Sequence, residues 1–257
     1  MGKLSKDIPW LEIFNTYDIN SHNFDESPYY LDAQQIKSAC AHFKKTAEKE
    51  VRILCYQAQR NDQPEIFVKK NLFLLPVKNG KYALIRGEGY IDIPSIDSKP
   101  IEFQPTVEFS LQSSEVGNSE MQHLDFAFAC GMIEDFVDVG KLYLTIRGRK
   151  YTPEFDFTVG DIPIHQKSVQ TEVDAGYEGK NHVILIEGKN IKMTDIIIRQ
   201  LYYPFRKWSK DTTKTVLPLF FEKRGDEYMF WMYEFTDVGD YNSIKLVRSR
   251  KYVIQTK

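Results

Sequence analysis

The chain has 257 residues, of which 42% are hydrophobic, 27% charged and 14% aromatic, with a formal net charge of -2. That composition excludes global disorder and gives enough chain for one large domain or two modest ones. The near-neutral balance excludes a uniformly basic nucleic-acid binder, so a polyanionic partner has to be argued from local charge alone.

Three cysteines, Cys40, Cys55 and Cys130, lie far apart and form no Cys-x-x-Cys pair. Reduced thiols are expected, not a disulfide framework or a zinc-thiolate site. The opening MGKLSKDIPW lacks the apolar run of a signal peptide, and Lys6 stands where myristoylation after Gly2 prefers Ser or Thr. No uninterrupted apolar run reaches the ~18 residues that span a bilayer. The expectation is a cytoplasmic protein with no membrane contact.

Along the chain, Ile36, Ala39, Cys40 and Phe43 recur at helical spacing and predict a helix over 32–48, with Asp32 as N-cap. Glu50 to Tyr56, EVRILCY, reads as a strand. NLFLLPVK, then Asn79-Gly80, then KYALIRGEGY predicts a hairpin on a type I′ turn, with Pro76 at an edge or bulge. A helix followed by such a hairpin is compatible with a winged-helix arrangement, and equally with many small α+β folds. The segment 92–105, with three prolines and little periodicity, is taken as a boundary, give or take ten residues. It separates an N-terminal α+β domain (1–105) from a second domain (106–257).

In the second part, Ser119 caps a helix to about Ala129, with Gly131 as its stop. Strands are expected at 141–147, 154–159, 169–177 and 183–189. A helix then opens at Thr194 or Asp195, and Pro204 kinks or ends it. TVLPLFFEKR and EYMFWMYEF form two long strands joined at Gly225-Asp226, and IKLVRSRKYVI is a last strand. No internal repeat is found.

Chemistry concentrates on two of these strands. Alternation puts Gln170, Glu172 and Asp174 on one side of the first. Glu187 and Lys189 face together at the end of the second. The short AGYEGKNH turn makes the strands neighbours, so Asp174, Glu187 and Lys189 are expected in one patch. Two carboxylates suit Mg²⁺, a hard cation that wants oxygen ligands, and an adjacent ammonium can orient or deprotonate an attacking water. The alternative is a solvated strand end with an ordinary ion pair. The triplet acid-x-Lys also occurs at Asp97-Ser98-Lys99 and Glu178-Gly179-Lys180, but only Glu187-Gly188-Lys189 ends a strongly apolar strand with an acid one strand earlier.

The segment VQTEVDAGYEGKNHVILIEGKN resembles the core of PD-(D/E)xK nucleases, the restriction-endonuclease-like fold, although Val173 precedes Asp174 where that pattern often has Pro. GNSEMQHLD, TIRGR and IRQLYYPFRKW extend the likeness to a group of bacterial type II restriction endonucleases. The resemblance implies an α/β core with a mixed central sheet flanked by helices. It implies Asp174 and Glu187 as metal ligands and Lys189 as the catalytic lysine. It adds Glu120, on the helix before the sheet, as a further ligand and Gln200 near metal or phosphate. It also implies a site-specific endonuclease acting on double-stranded DNA with Mg²⁺, replaceable by Mn²⁺. Such an enzyme works as a homodimer and is paired in the cell with a cognate DNA methyltransferase. The alternatives are a structure-specific repair or recombination nuclease, and a DNA-binding regulator that kept the fold without the chemistry.

Smaller expectations attach to other residues. Arg147, Arg149, Arg199 and Arg206 suit bidentate phosphate contact, against the plain reading of solvated arginines. Glu172 shares the face of Asp174 and is expected to support it. The five histidines show no metal spacing. Tyr202, Tyr203, Phe205 and Trp208 are read as core more than as a base-stacking surface. Lys78, Lys81 and Arg86, around the hairpin, are candidates for a phosphate-tracking face, with a solvated surface as the alternative. A fragment starting near Gln104 is expected to retain the nuclease core.

Overall fold

A computed structural model describes residues 6–255. The N-terminal elements are α1 (Asp7–Thr16), β1 (Tyr29–Asp32), α2 (Ala33–Ala39), α3 (Thr46–Lys49), α4 (Val51–Leu54), α5 (Glu65–Lys70), β2 (Leu72–Lys78) and β3 (Lys81–Arg86). Asp32 caps α2 as expected, in a reciprocal capping box with Gln35. The helix predicted over 32–48 is broken. It ends at Cys40, which is buried beneath α1, and Phe43 then turns back into the same core.

The strand predicted at 50–56 is helical instead. Leu54 buries against Trp10, whose indole N–H donates to the Leu54 carbonyl at 3.0 Å. That tertiary contact overrides the β-preference of Val51 and Ile53. The hairpin forms, with Pro76 on edge strand β2 beside a register shift, but its turn is not type I′: Gly80 alone takes positive φ, at 71°, while Asn79 does not.

The three strands lie in the order β1-β3-β2, and both faces of this sheet are covered. Leu72, Leu74 and Leu84 bury under the N-terminal helices with Trp10, Phe14 and Phe67. Phe73, Leu75, Val77, Ala83 and Ile85 bury on the opposite side, in a core shared with the rest of the chain.

The second half contributes β4 (Tyr90–Asp92), β5 (Ile101–Phe103), α6 (Glu120–Ala129), α7 (Met132–Val137), β6 (Tyr143–Tyr151), β7 (Phe155–Val159) and β8 (Ile162–Gln166). It continues with β9 (Gln170–Glu178), β10 (His182–Lys189), β11 (Asp195–Ile197), α8 (Arg199–Asp211), β12 (Thr215–Arg224), β13 (Glu227–Phe235) and β14 (Ile244–Ile254). Seven strands form a mixed sheet, β5-β14-β13-β12-β10-β9-β6, with β10–β12 and β14–β5 parallel and the other neighbours antiparallel. Helices α6 and α7 cover one face through Leu124, Ile133 and Phe136. On the other face lie α8, the β7–β8 hairpin and the N-terminal sheet. The chain is therefore a mixed α/β protein with a large central sheet between helical layers.

Two expectations are corrected here. The segment 92–105 itself belongs to the second part, because β4 pairs with β11 and β5 adds to the edge of the central sheet beside β14, so a boundary within ten residues of it lies before β4. The helix expected from Thr194 starts later: Ile196 and Ile197 are buried and extended against β4, the state that β-branched residues favour. Helix α8 then runs through Pro204 to Asp211. Pro204 withdraws one donor from the helix without ending it, since Leu201, Phe205 and Trp208 hold that face on the core.

The three cysteines are unpaired, and burial pushes Cys40 and Cys130 up to about 11 and Cys55 up to about 12. Among the described residues no helix is long and apolar enough to cross a membrane.

Candidate functional site

Strand β10 lies between β9 and β12, so its end is fixed from both sides. The antiparallel ladder pairs Ile186 with Ala175, and one step further along it come Glu187 and Asp174. The Gly188 N–H donates to Asp174 Oδ2 at 2.8 Å and fixes that carboxylate against β10. Lys189 Nζ donates to Glu187 Oε1 and, at 2.8 Å, to the Gly188 carbonyl. Gln200 Nε2 reaches the same Glu187 Oε1 at 2.5 Å from the first turn of α8. Glu120 is the first residue of α6, whose N-terminus Ser119 caps by accepting the Gln122 N–H. A Cβ on Gly188 would stand 3.1 Å from Leu124 Cδ1, so glycine lets α6 approach the strand end closely.

These elements enclose a cleft of about 410 Å³. Asp174, Glu187, Lys189, Glu120 and Gln200 all line it, together with Arg199, Glu172, Gln170 and Thr171. All five residues assigned to catalysis from sequence are thus brought to one place. Arg199 is half-buried there, and its guanidinium makes no ion pair among the described residues.

The electrostatics follow from an excess of acid in a poorly solvated place. Burial, reinforced by the Asp174 and Glu120 carboxylates and opposed by Lys189, pushes Glu187 up to about 7. Burial alone would lower Lys189. The Glu187, Asp174 and Glu120 carboxylates outweigh it and hold the lysine above its ordinary value. Lys189 is therefore a firmly charged ammonium, suited to stabilising anionic charge and not to accepting a proton.

The donor set suits a hard divalent cation. Glu187 Oε2 and Asp174 Oδ1 accept no hydrogen bond from the described residues, and the buried Gln200 Oε1 has no partner. Among the described residues no group of three or more His, Cys, Asp or Glu side chains is gathered closely enough to hold a metal ion, so Asp174 and Glu187 act as a carboxylate pair and not with Glu120 as a triad. The oxygens present would make a partial shell, the kind in which Mg²⁺ keeps waters and takes substrate phosphate.

The other candidates separate from this cleft or only border it. Arg147 pairs with Asp125 on α6 and lines a neighbouring depression. Arg149 pairs with Glu172 at 3.1 Å, which occupies the acid expected to support Asp174. Arg206 is structural: its guanidinium lies 4.2 Å over the Phe155 ring and donates to the Val238 and Asp156 carbonyls and to the Tyr202 hydroxyl. Lys78, Lys81 and Arg86 stand on the hairpin outside the cleft. Lys81 lies over Tyr30, and Arg86 is tied to Asp25 at 2.7 Å. Tyr202 and Tyr203 are fully buried, as the core reading expected. Gln170 and Thr171 are cleft residues to which the sequence reading gave no role, although alternation had set Gln170 on the face of Asp174.

Residues 85–253 match the model of a family described as a domain of unknown function, DUF6997, and residues 7–84 match a second, DUF6996. The chain belongs to the DUF6997 family. The boundary at 84/85 falls at the end of β3, consistent with β4 and β5 belonging to the second half. No curated protein and no solved structure gives a significant match.

Proposed function

We propose that the protein is a Mg²⁺-dependent endonuclease that hydrolyses phosphodiester bonds of double-stranded DNA, on a restriction-endonuclease-like core. The observation that carries this reading is the single cleft in which Asp174, Glu187, Lys189, Glu120 and Gln200 meet. Asp174 and Glu187 would hold the ion, with Glu120 lining the same cleft. When bound, Mg²⁺ would supply Lewis-acid polarisation of the phosphoryl oxygen and a more acidic water.

The remaining work falls to the chain's own groups. Lys189, held as an ammonium by three carboxylates, stabilises negative charge developing on the phosphoryl oxygens. Gln200 fixes the Glu187 carboxylate through its amide and offers a free carbonyl to water or phosphate. Arg199, which makes no ion pair among the described residues, would take a backbone phosphate. The buried Gly188 amide keeps Asp174 from swinging away.

The N-terminal elements supply a way to read DNA. The order helix, strand, helices, hairpin, with sheet order β1-β3-β2, is compatible with a winged-helix arrangement, in which Lys78 and Lys81 would flank the tip of the wing. Site-specific cutting of both strands by a homodimer, alongside a cognate methyltransferase, is the corresponding biological role.

The test is cleavage of supercoiled plasmid by purified protein. Mg²⁺ or Mn²⁺ should support cutting, and a chelator should stop it. Asp174→Ala, Glu187→Ala and Lys189→Ala should each lose at least a hundredfold in rate with an unchanged far-UV circular dichroism spectrum. Full activity in any of the three refutes the assignment. Discrete fragments indicate a site-specific enzyme, and nicks confined to branched or gapped DNA indicate a structure-specific one.

A further inference from the structure

Glu172 and Gln170 line the cleft from β9, and the ladder sets one residue of β6 directly across from each. Arg149 is the partner of Glu172, and Tyr151 is the partner of Gln170. Residues directly opposite in an antiparallel pair share a face. The register of β6 shifts before Gly148 and not beyond it, so this end of the ribbon is regular. Burial agrees: Arg149, Tyr151, Gln170 and Glu172 are exposed, while Thr171 and Val173, at the alternate positions of β9, are buried. The end of the ribbon is pinned. The Thr152 N–H donates to the Val169 carbonyl at 2.9 Å, and the Thr152 hydroxyl accepts the Val169 N–H at 3.0 Å. Arg149 and Tyr151 therefore stand at fixed places beside the wall of the cleft.

Neither side chain is used up by the fold. Arg149 Nε donates to Glu172 Oε2 at 3.1 Å, yet the arginine side chain stays 69% exposed and its two Nη groups have no acceptor among the described residues. An ion pair so exposed contributes little to stability. Its effect is on the charge of the cleft. Asp174, Glu187 and Glu120 already face Lys189 and Arg199 there, and an uncovered Glu172 would repel a phosphate arriving beside them. Arg149 covers that charge and keeps the rest of its fork for an acceptor. Tyr151 is 55% exposed, and its side chain makes no hydrogen bond or ring contact among the described residues. Spacing gives these groups a direction. Two residues of extended chain advance ~6.7 Å, so Glu172 and Gln170 lie one and two such steps from Asp174 along β9, and one step is close to the separation of successive phosphates in an extended nucleic-acid strand.

We propose that Arg149 and Tyr151 form a phosphate track leading the substrate strand out of the cleft. Arg149 takes, through its two Nη groups, the backbone phosphate next to the one held at Asp174 and Glu187. Tyr151 donates its hydroxyl to the phosphate after that. This rests on the nuclease reading and deepens it, since it says along which strand the DNA leaves the site. Glu172 orients Arg149 and is a positioning residue for the track. A contact from a cation releases a counterion and is read in the salt dependence, whereas a contact from a neutral hydroxyl is not. The two parts of the track can therefore be told apart.

The experiment measures binding of the full chain to a fluorescein-labelled duplex by anisotropy, in Ca²⁺ to prevent cutting, over a range of salt. Arg149→Ala should weaken binding about 10- to 150-fold and lower the slope of log K against log salt by about 0.9. Arg149→Lys, which keeps the charge and loses the fork, should keep the slope and still bind more weakly than wild type. Tyr151→Phe should weaken binding about 2- to 10-fold with the slope unchanged. Glu172→Gln should bind at least as tightly as wild type, because it removes an acid from the track. Thermal melts of all four variants should lie close to wild type, since these side chains are exposed. A wild-type slope in Arg149→Ala, wild-type affinity in Tyr151→Phe, or a loss in Glu172→Gln equal to that in Arg149→Ala overturns the track and leaves the chemistry of Asp174, Glu187 and Lys189 standing. Wild-type protein that does not bind the duplex overturns the nuclease reading with it.

Discussion

Glu187 gives the most exacting check on the electrostatics of the cleft. Raising its carboxyl from 4.5 to about 7 means that, in the metal-free protein, the charged form is penalised by about 3 kcal/mol relative to the unfolded chain. The sign follows from linkage. A carboxyl raised by folding costs nothing below about pH 4.5, where it is protonated in both states. Its cost grows through the interval to pH 7 and is complete above it. Replacing it by the neutral isostere removes that cost while Asp174 and Glu120 still face Lys189. Glu187→Gln in chelator should therefore be more stable than wild type at pH 8.5, and the advantage should shrink by about 2 kcal/mol on going to pH 5. Urea melts of both proteins at the two pH values measure this, and titrations elsewhere cancel in the difference. Added Mg²⁺ should then stabilise wild type but not the variant, by mass action. A Glu187→Gln protein destabilised equally at pH 5 and pH 8.5 would show that Lys189 and Gln200 fully compensate the buried charge, and the case for an acid-rich, cation-seeking cleft would fall.

Other outcomes follow from single contacts. Gly188→Ala should cost about 1 kcal/mol, because its methyl meets Leu124 at 3.1 Å, and by pushing α6 outward it should weaken Mg²⁺ dependence through Glu120, read as a shifted metal titration of cleavage. Arg206→Ala should cost about 1–3 kcal/mol in a denaturant melt through lost ring and carbonyl contacts, with the salt slope of DNA binding unaltered. Lys78→Ala with Lys81→Ala should flatten the duplex salt slope by up to about 0.9 per lost phosphate contact. An unchanged slope would place the DNA surface elsewhere.

The cleft was legible because its chemistry sits on regular elements. Period-2 alternation aligned Glu187 with Lys189, and a short turn forced β9 and β10 together, so the three central residues needed no tertiary knowledge. Glu120 and Gln200 came from resemblance, and their convergence depends on two helices meeting a strand end, which no local pattern encodes. The misreadings have the opposite origin. EVRILCY has the β-branched content of a strand, and only the burial of Leu54 against Trp10 makes it helical. Arg206 looks like any phosphate-binding arginine until Phe155, from a hairpin some 50 residues earlier, is found beneath it.

The run LFLLPV held information that the alternation argument passed over. Four consecutive buried residues on β2, Leu72 to Leu75, cannot belong to a strand with one wet face. The sheet they form is buried on both sides, which ties the N-terminal part to the core of the second half and contradicts a separable fragment starting near Gln104. Such a fragment would lack β4 and β5, and it would lose Phe73, Leu75, Val77, Ile85 and Tyr90 from the core that holds Tyr202, Tyr203 and Trp231. At about 1.5–3 kcal/mol for each large apolar side chain, that loss is on the order of 10 kcal/mol, comparable with the whole stability of an ordinary domain. The fragment 104–257 should accordingly be insoluble or molten, without near-UV circular dichroism and without a cooperative melt. A folded, cooperative fragment would mean that the shared core contributes little and that the two parts move independently. If it fails to fold, the N-terminal sheet and the cleft-bearing sheet are held by one shared core, and whatever the N-terminal part binds is positioned against the cleft without any hinge.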